Sequence, residues 1–385
     1  MLRGLISERS YPWAVEPAGL NGSIQHQLSG EGSGGELERC LRRGSSWSDR
    51  RRHRRKTHAG QVVPYRHLIG EPRDEAHATA AVGAKSAVNV KNPGEKNRPR
   101  SAMRPSLGGD VGGGLEGPVN TVDVINWNTY HLFDHRAKLE EATTWLSEEG
   151  PDLLALQEVL HCDEAGLREL ALAWGHGHAV MHKEHGYPVA LTSSAPIEVV
   201  ERRVKGFHHG YLHARTHGID VFVVHFWPTK VGEAVQVAEI AGAVAADGHP
   251  VLVIGDFNGK IRRDEPYLLD HRFGEEKEGE VVCDYRLTDA FLERGFVELV
   301  SEHSPDDLYT FGAPALIPRW AKTMDEVRER RRRIDFLFAS PELAASCQSA
   351  HVDTDDERVG QYSDHYPVLC TLKSLGAKDP APTNV

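Results

Sequence analysis

The chain has 385 residues, 39% of them hydrophobic and 26% charged, with mean hydropathy −0.45 and a formal net charge of −11. That length supports one or two domains with a sizeable core, and no stretch approaches the ~18 consecutive apolar residues of a membrane span, which excludes integral membrane association. Glu8 and Arg9 interrupt the opening where a secretory leader must stay apolar, and the five cysteines are scattered without a C-x-x-C pair; a disulfide framework and a zinc ribbon are excluded, and a reducing, cytoplasmic setting is expected.

Charge divides the chain. Residues 1–120 carry about +7 and residues 121–385 about −18, a split that separates a tail from a folded unit. The first part holds SGEGSGGE, the basic run Arg50–Lys56, KNPGEKNRPR and GGDVGGG, with no sustained apolar period. It cannot bury enough apolar surface to offset its ordering entropy. Residues 1–120 are therefore expected to be a disordered tail, or a non-native extension with the protein's own start at Met103. The basic run is read as a solvated cluster, with attraction to nucleic acid as the other reading.

From Val122 the texture changes. TVDVINW predicts a buried strand, and Leu139, Ala142 and Leu146 recur at helical spacing in a helix from about Asp134 to Glu149, stopped by Gly150-Pro151. A strand at Leu153–Leu156 and a helix at Glu164–Trp174 follow. Strands are expected at His178–His182, Val189–Thr192, Ile197–Val204, Leu212–Arg215 and Ile219–Phe226, then a helix at Val231–Ala246. Val251–Ile254, Ile334–Ala339 and Val368–Leu372 supply three more strands. Strands interleaved with helices, without an internal repeat, predict sheets inside and helices outside over residues 121–373, with residues 374–385 a flexible C-terminal tail.

Four segments place a coordinating or hydrogen-bonding residue at, or just past, the end of an apolar strand, where ligands sit in open α/β folds. They are Asn126-Trp127-Asn128, the Gln157-Glu158 pair after Leu153–Leu156, Gly255-Asp256-Phe257-Asn258 after Val251–Ile254, and Ser363-Asp364-His365. Each alone has an ordinary explanation as a cap, a turn or a loop. Their order and joint presence do not.

The ordered set WN, QE, VVHF, GDFN, RIDFLFASPEL and SDHYPV resembles the endonuclease/exonuclease/phosphatase superfamily, the DNase I-like and exonuclease III-like metal-dependent phosphoesterases. The resemblance spans residues 121–373. It implies a four-layered α/β sandwich, two packed mixed sheets flanked by helices, with an active site where the loops of both sheets converge. It implies Mg²⁺, with Mn²⁺ as a substitute, held mainly by Glu158, with Asn128 and Asp364 completing the site. Asp256 then orients or deprotonates the attacking water, Asn258 donates to phosphate, His365 contacts phosphate with Asp335 as its partner, and His225 is a transition-state donor. Tyr211 and His213 are weaker candidates for a phosphate contact. The chemistry is coherent: phosphoryl transfer needs a hard cation, a positioned water and donors for developing negative charge.

The sequence departs from the abasic-site branch of that family. Tyr130 stands where that branch has an acidic or amide residue, and its Trp-rich loop is replaced by Tyr309-Thr310-Phe311-Gly312 and Trp320. A folded part near −18 also has little surplus positive charge for long duplex DNA. A phosphodiesterase acting on a phosphate-ester substrate is thus expected, whether small molecule, lipid headgroup or nucleic acid, with no obligate protein partner. The alternatives are a nuclease acting on DNA or RNA with the basic tail aiding binding, and a catalytically dead binding protein of the same fold.

Overall fold

The computed structural model describes residues 120–374. The expectations for residues 1–119 and 375–385, including the tails and a start at Met103, lie outside the described residues. In chain order the first half of the fold comprises β1 (Thr121–Asn128), α1 (Leu139–Glu149), β2 (Leu153–Gln157), α2 (Glu164–Ala171), β3 (His178–Met181), β4 (Val189–Ser193), β5 (Glu198–Arg203), β6 (Tyr211–Thr216), β7 (Ile219–His225) and α3 (Val231–Ala246). The second half comprises β8 (Val251–Asp256), α4 (Glu265–Asp270), β9 (Glu275–Lys277), β10 (Glu280–Val282), α5 (Arg286–Leu292), β11 (Val297–Glu298), α6 (Leu299–His303), α7 (Met324–Arg328), β12 (Asp335–Ala339), α8 (Pro341–Ala344), β13 (Cys347–Val352) and β14 (Val368–Lys373).

The strands form two six-stranded sheets, ordered β13-β14-β1-β2-β4-β3 and β11-β12-β8-β7-β6-β5, and β9–β10 is a separate hairpin. Each large sheet has a parallel pair at its centre, β1–β2 or β7–β8, and is otherwise antiparallel. Parallel central strands are covered on both faces, so they read as continuous apolar runs. One core lies between the sheets and continues under α1 and α2. It takes Val124, Leu154 and Leu191 from the first sheet and Leu212, Val223, Ile254 and Leu337 from the second. The other core lies on the outer face of the second sheet, where Phe222, Val253, Phe336 and Phe338 meet Val237 and Ala241 of α3 and Phe291 of α5. This is the expected four-layered α/β sandwich. Among the described residues no helix is long and apolar enough to cross a membrane.

Two local differences from the sequence reading matter. The helix expected from Asp134 begins at Leu139. Instead, Tyr130 to Arg136 form a left-handed turn with every φ between 46° and 74°. For L-residues that conformation costs roughly 1–2 kcal/mol per residue, and burial of Leu132 and Phe133, with the Phe133 ring edge-on to Trp127 at 4.8 Å, offsets part of it. The second difference is Gly255 in β8, where a Cβ would lie 2.0 Å from the Val224 carbonyl oxygen. Only glycine lets β8 lie this close to β7 immediately before Asp256.

Candidate active site

The C-terminal ends of the parallel pairs and the N-terminal starts of their antiparallel neighbours share one edge of the sandwich. Strand parity then selects the side chains. Leu252 and Ile254 of β8 face the inter-sheet core, so Asp256 does too; the same alternation aims His225 after Val221 and Val223, and Asp335 ahead of Leu337. In register, Asp256 lies between His225 of β7 and Asp335 of β12. On the first sheet β1 delivers Asn128 beside Gln157, and Glu158 follows in a left-handed conformation, φ 57°, that turns the chain off the strand. Two long-range bonds bring the last motif to the first: Trp127 Nε1 donates to the His365 carbonyl at 2.9 Å, and Ser363 Oγ to the Asn128 carbonyl at 2.7 Å.

The centre is a buried relay. His365 Nδ1 donates to Asp335 Oδ2 at 2.8 Å, and the same oxygen accepts the Thr310 hydroxyl at 2.6 Å. Thr310 Oγ1 in turn accepts the backbone N–H groups of Ile334 and Asp335. Burial works against charge on His365, but Asp335, with help from Asp364 and Asp256, raises it to about 10, so it is an imidazolium at neutral pH. Its Nε2 lies 3.9 Å from carboxylate oxygens of both Asp256 and Asp364.

Burial above all pushes Glu158, Asp256 and Asp364 up to about 7; repulsion from Asp256 on Glu158, from Asp335 on Asp256 and from Glu158 and Asp335 on Asp364 adds to it, while His365 pulls all three down. Asn258 braces Asp256, its backbone N–H donating to Oδ1 at 2.7 Å and its Nδ2 reaching Oδ2 at 3.2 Å and the Phe226 carbonyl at 3.1 Å. Asn128 Nδ2 donates to Asp256 at 3.0 Å and faces Glu158 at 3.3 Å, while its Oδ1 accepts the Tyr130 N–H. Asn128 thus acts as a donor bridging two carboxylates. His225 Nε2 lies 3.5 Å from Asp256, its ring stacks on His209 at 4.3 Å, and burial with that neighbour drives it well below the usual histidine range. Its Nδ1 is buried with no hydrogen-bond partner among the described residues, as is Asp335 Oδ1.

The arrangement fits a hard divalent cation. Three carboxyls held near 7 beside one imidazolium leave negative charge that the protein does not neutralise, and oxygen ligands are what such a cation takes. The tightest geometric group is Asp256, Asp335 and His365, with ligand atoms within 4.8 Å of one another. An imidazolium that already donates to Asp335 has no lone pair there to offer; Glu158 and Asp364, whose side chains keep 16% and 13% exposure, are the carboxylates that could receive a cation from solvent.

The structure gathers eight of the ten residues singled out from the sequence: Asn128, Glu158, His225, Asp256, Asn258, Asp335, Asp364 and His365. It does not bring Tyr211 and His213 to them. Both lie on the outer face of β6: Tyr211 packs in the helix-side core and donates to Glu201 at 2.5 Å, and His213 is bound to Asp220 at 2.7 Å and stacked on Phe222. The residue that reaches the site from this segment is His209. The sequence reading also missed Thr310, a single hydroxyl in a loop with no period to mark it.

A two-sheet α/β sandwich with carboxylates, an imidazolium and phosphate-compatible donors converging at one edge defines a phosphoester hydrolase of the DNase I-like type. The chain belongs to the Endonuclease/Exonuclease/phosphatase family, whose model matches residues 125–365. Among solved structures, a 3′–5′ exonuclease (NExo) from Neisseria meningitidis is similar at 18% identity and TM-score 0.51, covering 66% of this chain and 100% of that one. An AP endonuclease from Archaeoglobus fulgidus is similar at 22% identity and TM-score 0.47, covering 65% of this chain and 99% of that one. A 3′ phosphatase NExo from Neisseria bound to product DNA hairpin shares 18% identity at TM-score 0.49, covering 65% and 98%. No curated protein matches the chain.

Proposed function

We propose that this protein is a metal-dependent phosphodiesterase. The observation that supports the reading best is the convergence of Glu158, Asp256 and Asp364 with His365, held as an imidazolium at neutral pH, at one edge of both sheets. Glu158 and Asp364, with Asn128 beside them, would hold Mg²⁺ or Mn²⁺, which when bound neutralises phosphate oxygens and polarises the ester. Asp256, raised to about 7, is matched to accept a proton from the attacking water near neutral pH. Asn258 fixes the direction of that carboxylate. As the water oxygen bonds to phosphorus and the ester P–O bond breaks, the leaving oxygen departs as an alkoxide that takes a proton from solvent, the His365 imidazolium meets the added charge on the phosphoryl oxygens, and Asp335 with Thr310 keeps its ring aimed. His225, neutral, has one ring N–H, on the Nε2 that faces Asp256 at 3.5 Å, and that N–H would be its donor to the phosphoryl group.

The test is hydrolysis of bis-p-nitrophenyl phosphate, p-nitrophenyl phosphate and a nicked plasmid, with Mg²⁺, Mn²⁺ or EDTA, by wild type and Asp256→Asn. The expected result is metal-dependent turnover of the diester that falls about 10³-fold or more in the variant. Turnover surviving in Asp256→Asn or in EDTA refutes the mechanism, and preference for the plasmid would replace the phosphodiesterase reading with the nuclease one.

A further inference from the structure

A second group of metal-ligating side chains lies on the left-handed turn and meets the machinery just described at Glu158. His131 and His135 have the H-x-x-x-H spacing, and the turn brings His131 Nδ1 to 3.2 Å from His135 Nε2. The remaining nitrogen of each ring is also occupied. His131 Nε2 faces Glu158 Oε2 at 3.3 Å, and His135 Nδ1 faces His161 Nε2 at 3.2 Å.

We propose that His131 Nδ1 and His135 Nε2 bind a borderline transition-metal ion of the Zn²⁺ class. Two imidazole nitrogens on one tetrahedral ion at ~2.0–2.1 Å lie a little over 3 Å apart, the spacing found here. Metal-ligating histidines characteristically bind a carboxylate or another acceptor through their far nitrogen, which fixes the tautomer; Glu158 and His161 stand at those two positions. The backbone adds an independent reason. Seven consecutive residues at positive φ are not held by local preference. Burial of Leu132 and Phe133 anchors one side of the turn, and an ion clasped by His131 and His135 would fasten the other.

The ion's second consequence is a link to the carboxylate cluster. Glu158 is the outer partner of His131, so occupancy of the histidine site orients the same carboxylate proposed to hold Mg²⁺.

The test is calorimetric titration of ZnCl₂ into the metal-free full-length protein with Mg²⁺ present; because Zn²⁺ can also displace Mg²⁺ from oxygen ligands, the readout is the difference in Zn²⁺ uptake between wild type and variant, which is independent of the hydrolysis assay. Wild type is expected to take up one more equivalent of Zn²⁺ than His135→Gln. His161→Gln, altered on a separate segment and only in the outer partner, is expected to keep the stoichiometry with about tenfold weaker affinity. Circular dichroism establishes that both variants are folded. Isotherms identical to wild type in both variants overturn the site.

Discussion

His182 offers a sharp test of the electrostatics around the site. It is 4% exposed and both ring nitrogens are committed in the neutral form: Nε2 donates to the His209 carbonyl at 2.7 Å, and Nδ1 accepts the Val189 N–H at 2.9 Å. Protonation gives up the bond from the Val189 N–H and turns the new N–H to the longer contact with the Val189 carbonyl at 3.2 Å. Burial accordingly lowers its pKa to about 4. Because the folded value lies below the unfolded 6.5, the unfolded chain binds more protons between them. This contribution to stability is intact above about pH 6.5 and is lost as pH falls through 4. The full loss is roughly 3 kcal/mol, with about 2 kcal/mol of it reached at pH 5. His182→Gln keeps a donor and an acceptor but cannot titrate. Urea unfolding of both proteins at about pH 7.5 and pH 5 should show wild type losing about 2 kcal/mol more than the variant, which subtracts the other buried histidines. Equal losses in the two proteins would refute the assignment of His182 as a neutral clamp on the segment that carries His209.

Two further predictions follow from the packing. Arg333, two residues before Asp335, is fully buried and pairs with Asp264 at 2.6 Å and Glu298 at 3.1 Å; Arg333→Ala leaves those two carboxylates uncompensated and should cost roughly 3–5 kcal/mol in urea unfolding. Tyr211→Phe removes only the bond to Glu201 on the outer face of the sheet, so stability should fall by about 1 kcal/mol while diester hydrolysis stays within about twofold of wild type; a large loss of activity would reverse the placement of Tyr211 away from the site.

Much of this molecule was legible in its residues because chemistry and strand ends coincide. An apolar run such as Val251–Ile254 declares a buried strand, and a polar residue immediately after it has nowhere to go but the sheet edge. The same apolar runs hid the fate of Tyr211 and His213. β6 is buried on both faces, so no alternation of polar and apolar residues says which side chains face the site; only the opposite parity of Leu212 and Ala214 in the inter-sheet core decides it. The turn at Tyr130 to Arg136 was illegible for another reason. Its residues carry no glycine, those from Asp134 read as the start of a right-handed helix, and it is tertiary burial of Leu132 and Phe133, not local preference, that accompanies the opposite hand. Thr310 shows a third limit, since its importance lies wholly in the three groups it bonds across the fold.

The bond from Trp127 to the backbone of His365 spans 238 positions of sequence, and β14 pairs with β1 along its length. Until the segment from Ser363 to Lys373 has emerged from the ribosome and returned to β1, Asn128 and Glu158 have no His365 or Asp364 opposite them. A nascent chain carries every upstream carboxylate before the proposed site can close, and Asp364 and His365 reach that site together with the closing strand.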